Sequence, residues 1–266
     1  MSKKTLIIVL ILVFILGLFG CREEVPEDMV VVEAGTTGEA NGNLTVEEDF
    51  YIGKYHVTQA EFEEVMGFNP SDFVEKYHEN LIGENENRPV EQVTWYDAVM
   101  YCNKLSEREG LDKYYNISDI EYNNNRIDSA NVTRNKKANG YRLPTKDEWE
   151  YAARGGKNGK PTTYAGSDNI DEVGWYMQNS EVANSNRITK IGTMPVGEKD
   201  ANEPGIYDMS GNVWDWTDTA KGSERVYRGG SWRYHPSRCE VSKFDTYEPS
   251  YSLFNIGFRI ARSPGR

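Results

Sequence analysis

The 266-residue chain has three cysteines, too few for a disulfide-stapled scaffold or a four-thiolate zinc site. Positive charge is also scarce: 30 Lys and Arg stand against 42 Asp and Glu, a formal net charge of −12. Phosphate binding depends on Lys/Arg neutralisation, so this balance argues against a nucleic-acid partner. Mean hydropathy is −0.69, which excludes a multi-span membrane protein. No period of 20–50 residues recurs, which excludes a solenoid, and no strand–helix alternation of Rossmann type appears. Aromatics, by contrast, are plentiful. With 17 Tyr and 6 Trp the chain has the means to fold, and its length is enough to bury a sizeable core.

The N-terminus reads as a targeting segment. Lys3 and Lys4 precede an apolar run from Thr5 to Gly20, short of the roughly 20 residues a spanning helix needs. Leu18-Phe19-Gly20-Cys21 then resembles the bacterial lipobox, with Phe19 a less usual choice. That resemblance implies lipidation of the Cys21 thiol and cleavage before it. Residues 1–20 would be the signal peptide, 21–28 a lipid-anchored tether and 29–266 the domain. The mature chain would carry 28 Lys and Arg against 42 acids. Its expected location is the bacterial cell envelope, lipid-anchored, at the outer-membrane surface.

Three helix starts are legible. Thr58-Gln59-Ala60-Glu61 and Thr145-Lys146-Asp147-Glu148 are capping boxes, and Thr94-Trp95-Tyr96-Asp97 is a weaker version. Trp95, Ala98, Val99, Cys102 and Leu105 follow at helical spacing, which makes Cys102 a core residue, and Gly110 stops the run. Short strands are expected at Met29–Val32, Phe50–Ile52, Arg225–Tyr227 and Gly257–Ala261. Residues 114–137 are polar and read as an exposed loop or insertion. A few helices around short strands suggest an α+β fold with a loop-built surface. Trp95, Trp149, Trp214, Trp216 and Trp232 are expected in the core, and Arg142, Arg154 and Arg259 as paired structural cations.

Several segments, taken in order, resemble the formylglycine-generating-enzyme family, a branch of the C-type-lectin-like fold. They are Phe50–Thr58, Arg88–Trp95, Tyr141–Gly155, Gly205–Trp216, Arg228–Trp232 and Gly257–Arg259. The resemblance implies a calcium loop formed by Asp208, Gly211, Val213 and Asp215, whose hard oxygens suit that ion; a hydrogen-bonded turn is the alternative. The family's enzymes bind copper(I) through two cysteines five residues apart. Those positions are Tyr234 and Cys239 here, and a phenol does not replace a copper(I) thiolate. No copper is therefore expected.

Residues 233–255 show no sustained period, contain Pro236 and Pro249, and lie between the framework motifs Gly229–Trp232 and Ile256–Arg259. So framed, the segment resembles the variable proteins of diversity-generating retroelements, and the lipobox and acidic domain bring it nearest to their treponemal lipoprotein members. In those systems Asn codons are scattered by adenine miscopying, which does not yield Lys, Glu, Gln, Met or Trp. None of those five occupies 233–238, 244–247 or 250–255. The implied ligand-facing residues are Arg233, Tyr234, His235, Ser237, Arg238, Phe244, Asp245, Thr246, Tyr247, Ser250, Tyr251, Ser252, Leu253, Phe254 and Asn255. Phe244, Leu253 and Phe254 suit core packing equally well. Tyr supplies contact area at low entropic cost, and small polar residues supply adaptable hydrogen bonds. The expected function is non-catalytic binding of a protein or other macromolecule, with the membrane reached through Cys21. Its rivals are a copper-dependent oxidase acting on a substrate cysteine and a structural accessory domain.

Overall fold

A computed structural model describes residues 25–74, 87–183 and 189–264; the apolar run, Cys21 and the first part of the tether lie outside the described residues. The three Thr-initiated boxes each start a helix. In α1 (Gln59–Met66), Thr58 accepts from the Glu61 N–H while the Glu61 carboxylate accepts from Thr58 N at 2.7 Å. In α2 (Trp95–Arg108), Thr94 and Asp97 exchange the same two bonds at 3.0 Å each. In α3 (Lys146–Ala153), Thr145 and Glu148 do so at 2.8 and 3.1 Å. Each box satisfies two otherwise orphaned donors, which fixes the residue at which loop becomes helix. Gly67 and Gly155 end α1 and α3 at φ +85° and +82°, a region where a Cβ is strained. A short fourth helix, α4 (Ile170–Val173), is capped by Asn169.

Among the described residues the strands form two four-stranded sheets and three two-stranded ribbons. The first sheet runs Met29–Val32, Phe50–Gly53, Ala261–Arg262, Tyr141–Arg142, all antiparallel. The second runs Phe244–Tyr247, Glu224–Arg228, Trp214–Lys221, Ile256–Gly257, and its last pair is parallel. The strand expected at Gly257–Ala261 is therefore two strands in different sheets. The chain crosses between them through Phe258, Arg259 and Ile260. A Cβ on Gly257 would come within 2.3 Å of the Val90 carbonyl, so only glycine fits at the start of this crossing.

Residues 114–137 correct a second expectation. They form a β-hairpin, Tyr115–Asn123 with Arg126–Arg134. Two buried side chains, Tyr115 and Ile127, anchor it. The Asn103 amide brackets the Tyr115 backbone at 2.7 and 3.1 Å, and Arg134 grips the Asp218 carboxylate at 2.6 and 2.8 Å. Polar residues outnumber these anchors in the sequence and conceal them.

The core is tryptophan-rich, as expected. Trp95, Trp149, Trp214 and Trp216 are fully buried, and Trp232 nearly so. Buried indole N–H groups need acceptors. Trp95 donates to Thr217 O, Trp149 to Asp215 Oδ2 and Trp216 to Val93 O, at 2.8–3.1 Å. Arg142 pairs with Glu148 at 2.7 Å and Arg154 with Glu150 at 2.7 Å. Arg259 is wholly buried. Its Nε meets Asp215 Oδ2 at 2.7 Å, and its two remaining nitrogens reach the carbonyls of Gly53, Lys54 and Tyr207 at 3.0–3.4 Å. Removing one partner of a buried pair leaves the other charge uncompensated. Arg259→Leu is expected to lower stability by about 3–5 kcal/mol in urea unfolding, against about 1 kcal/mol for loss of the more exposed cap in Thr58→Ala; equal effects would refute this ranking.

Candidate functional site

Strand Glu224–Arg228 delivers the chain to Gly229 and Gly230, at φ +97° and +76°. A Cβ at Gly230 would lie 2.5 Å from Cys239 Sγ, so the glycine lets the chain fold back over the buried cysteine. Ser231 and Trp232 point inward, and Trp232 N donates to Asn212 O at 2.8 Å. A short 3-10 turn follows at Pro236–Arg238, capped by His235. The chain then forms Phe244–Tyr247, the outermost strand of its sheet, and returns through residues 248–255.

That path turns most of the expected residues to the surface. Arg233, His235, Ser237, Phe244 and Tyr247 are exposed. Tyr234, Arg238, Asp245, Thr246, Ser250, Tyr251, Ser252, Leu253 and Phe254 are half-buried. Asn255 is a correction. It is 1% exposed, its Nδ2 donates to Ser231 Oγ at 2.9 Å, and its carbonyl accepts from Trp214 N. It holds the framework rather than facing a ligand. Phe244, which the sequence left open, lies outside the core at 43% exposure.

The face is braced sideways as well as from below. The Tyr247 and Tyr251 rings stack at 3.6 Å. Arg238 pairs with Asp245 at 2.6 Å and lies 5.7 Å from the Trp214 and Tyr234 rings. Arg233 stands 4.8 Å from the Phe254 ring. Main-chain bonds pin the segment to its surroundings: Trp95 N to Pro249 O, Gln92 N to Leu253 O, and Met177 N to Tyr234 O, at 2.9–3.1 Å. Residues that the sequence did not signal also reach it. Arg126, on the hairpin, donates to Ser252 Oγ at 2.6 Å. Phe73 meets Trp232 edge-on at 5.3 Å and Phe254 at 6.5 Å. No motif marked either residue.

Residues 18–264 match the sulfatase-modifying factor enzyme 1-like domain. The chain belongs to that family. Its fold is that of the formylglycine-generating enzymes, mixed helix and sheet with irregular loops. It is 40% identical to a Paenibacillus barcinonensis protein named chaperone protein LppX, over 97% of this chain and 98% of that one. The solved Treponema denticola variable protein 1 superposes with a TM-score of 0.73 at 30% identity, covering 89% of this chain and 95% of that one. The formylglycine-generating enzyme of Bos taurus is 26% identical over 91% of this chain and 76% of the enzyme.

The family's two thiol positions can now be placed. Cys239 is fully buried, its Sγ 3.9 Å from the Ser231 carbonyl, and burial pushes its thiol up to about 12. Tyr234 holds the other position, its ring edge-on to Trp214 at 5.9 Å. Cys102 is a free thiol in a separate core cluster, where the sequence placed it. His235 is exposed, with its Nδ1 3.2 Å from Ser237 Oγ.

The family's calcium loop keeps donors that suit a cation. Asp208, Gly211 and Asn212 all have left-handed φ values, which wraps the chain tightly. Asp208 Oδ2 accepts from Gly197 N at 2.8 Å, while its Oδ1 is buried without a hydrogen bond. Asp215 Oδ2 is taken by Trp149 and Arg259; its Oδ1 makes no hydrogen bond and lies 3.5 Å from His56 Nε2. Asp208 Oδ1 and Asp215 Oδ1 are thus buried carboxylate oxygens without a hydrogen-bond donor, the kind of hard donor that calcium takes. Among the described residues no three His, Cys, Asp or Glu side chains converge, so backbone carbonyls such as those of Gly211 and Val213 would have to complete the shell.

Glu91 underlies the face. It is fully buried, and its Oε1 accepts from Asp72 N and Phe73 N at 2.7 and 2.9 Å, while Oε2 has no partner. Burial raises its carboxyl well above the usual range, against the pull of those two N–H groups and Arg126. The folded state thus favours the protonated form, and stability falls as pH rises above the ordinary glutamate value. Glu91→Gln removes this titration. The wild-type melting temperature minus that of Glu91→Gln is expected to decline as pH rises above the ordinary glutamate value; a constant difference would refute the assignment.

Proposed function

We propose that this chain is a non-catalytic binding protein that grips another polypeptide with the face formed by residues 233–254. One observation carries this most directly. Cys239 is sealed in the interior with a tyrosine at its partner's position, while the segment around it presents Phe244 and Tyr247 outward, with Tyr251 stacked on Tyr247. Rigid rings with adaptable polar neighbours suit recognition of protein surfaces. The likeness to a treponemal variable protein supports a binding role, and the more extensive likeness to a protein named a chaperone favours unfolded or folding polypeptides as the partner. The lipobox resemblance at Cys21 supports a lipid anchor on the cell envelope. Two or more acyl chains would make that anchoring stable. A retroelement would diversify the segment at 233–238, 244–247 and 250–255, whose residue types suit it, with Glu240, Lys243 and Glu248 between those blocks held fixed.

The test uses the full chain in detergent micelles, with reduced insulin B chain as the aggregating probe. The wild type is expected to suppress light scattering at equimolar ratio, and Tyr247→Ala/Tyr251→Ala to lose at least half of that effect without a change in melting temperature. Full suppression by the double variant would defeat the assignment to this face. Stoichiometric copper(I) on Cys239 with turnover of a cysteine peptide would establish the oxidase instead.

We also propose calcium as a structural ion in the Asp208–Asp215 loop, where it would neutralise buried carboxylate charge. Added calcium is expected to raise the melting temperature relative to chelator, and Asp208→Asn to abolish the difference. An unchanged wild-type melting curve would exclude the ion.

A further inference from the structure

A cavity of about 450 Å³ opens between α1, α2 and the sheet that begins at Met29, and no residue of 233–255 lines it. Its floor is apolar: Val57, Val65, Leu105 and Ile260, with the ring of Tyr101. Its rim is acidic. Among its described lining residues Glu27, Asp28, Glu61, Glu64 and Glu109 stand against Arg108, which is paired with Glu64 at 2.5 Å. Tyr141 donates to Glu109 Oε2 at 2.7 Å, and Glu61 is held by the Thr58 cap, so these two carboxylates are fixed in place. His56, also in the lining, is 1% exposed, and its Nε2 lies 3.5 Å from Asp215 Oδ1.

Lys54 and Arg262 lie beside this rim, on the Glu27 carbonyl and the Tyr141 ring, yet carboxylates still outnumber cations around it. An apolar trough with a net-negative mouth suits one kind of occupant, an aliphatic stem ending in a positive charge. Lysine and arginine side chains have that form: the methylenes lie on apolar surface and the head stays at the polar edge. The volume exceeds one side chain and falls within the usual range for ligand clefts, which leaves room for neighbouring residues of the same peptide. We propose that this cavity is a docking site for an arginine- or lysine-bearing segment of a partner polypeptide. The site is distinct from the face at 233–254 and stands or falls separately.

The experiment is methyl-resolved NMR of the full chain in detergent micelles, at about 0.15 M salt so that diffuse attraction to the acidic surface is screened. The probe is acetyl-Gly-Leu-Arg-Leu-Gly-amide, compared with the same peptide carrying neutral citrulline in place of arginine. The arginine peptide is expected to shift the methyls of Val57, Val65, Leu105 and Ile260, and the citrulline peptide to bind about tenfold more weakly. Glu64→Gln/Glu109→Gln should weaken the arginine peptide, Leu105→Trp should block it, and Tyr247→Ala should leave it unchanged. The wild-type comparison needs no variant to fold. Equal binding of both peptides, shifts confined to other methyls, or no shift at all would overturn the proposal.

Discussion

The ion pair between Arg259 and Asp215 is the contact on which the architecture turns. Asp215 belongs to the central strand of one sheet. Arg259 lies on the crossing that leaves that sheet for the other, and it also reaches the carbonyls of Gly53, Lys54 and Tyr207. Trp149 adds α3 through a bond to the same carboxylate oxygen. One buried charge pair therefore joins both sheets, a helix and an irregular loop. Such a pair adds little as a simple attraction, because desolvation offsets most of it. Its value here is geometric: four segments with little regular structure must meet in one arrangement to satisfy it.

The same logic explains how a loop-rich surface stays ordered. Residues 233–255 contain little secondary structure, yet buried groups hold their course. Ser231, Trp232, Cys239 and Asn255 face inward, and Gly230 leaves room for the cysteine. At the position where the family's enzymes use a reactive thiol, Cys239 fills space. Burial favours its protonated form, which lowers the share of thiolate.

Much of this was legible in the sequence, for identifiable reasons. Capping boxes are local, so Thr58, Thr94 and Thr145 marked their helices without reference to the rest of the chain. The framework motifs are ordered and dense, so the fold followed from resemblance. What stayed hidden depends on distant partners. Tyr115 and Ile127 anchor a hairpin only because Asn103 and Asp218 are waiting for it. Gly257–Ala261 reads as one strand because nothing local shows that the chain changes sheets at Phe258. Asn255 looks like its polar neighbours until Ser231 and Trp214 appear beside it. Glu91, Phe73 and Arg126 likewise acquire their roles through residues far away in sequence.

Three of the main-chain bonds that fasten the segment to the domain run through the carbonyl oxygens of Tyr234, Pro249 and Leu253. A carbonyl is common to all twenty amino acids. Much of the route of the chain is thus held by atoms that substitution does not alter. Tolerance to mutation should accordingly be lopsided, generous at positions such as Tyr247 and Phe244 and strict at the small or buried residues between them.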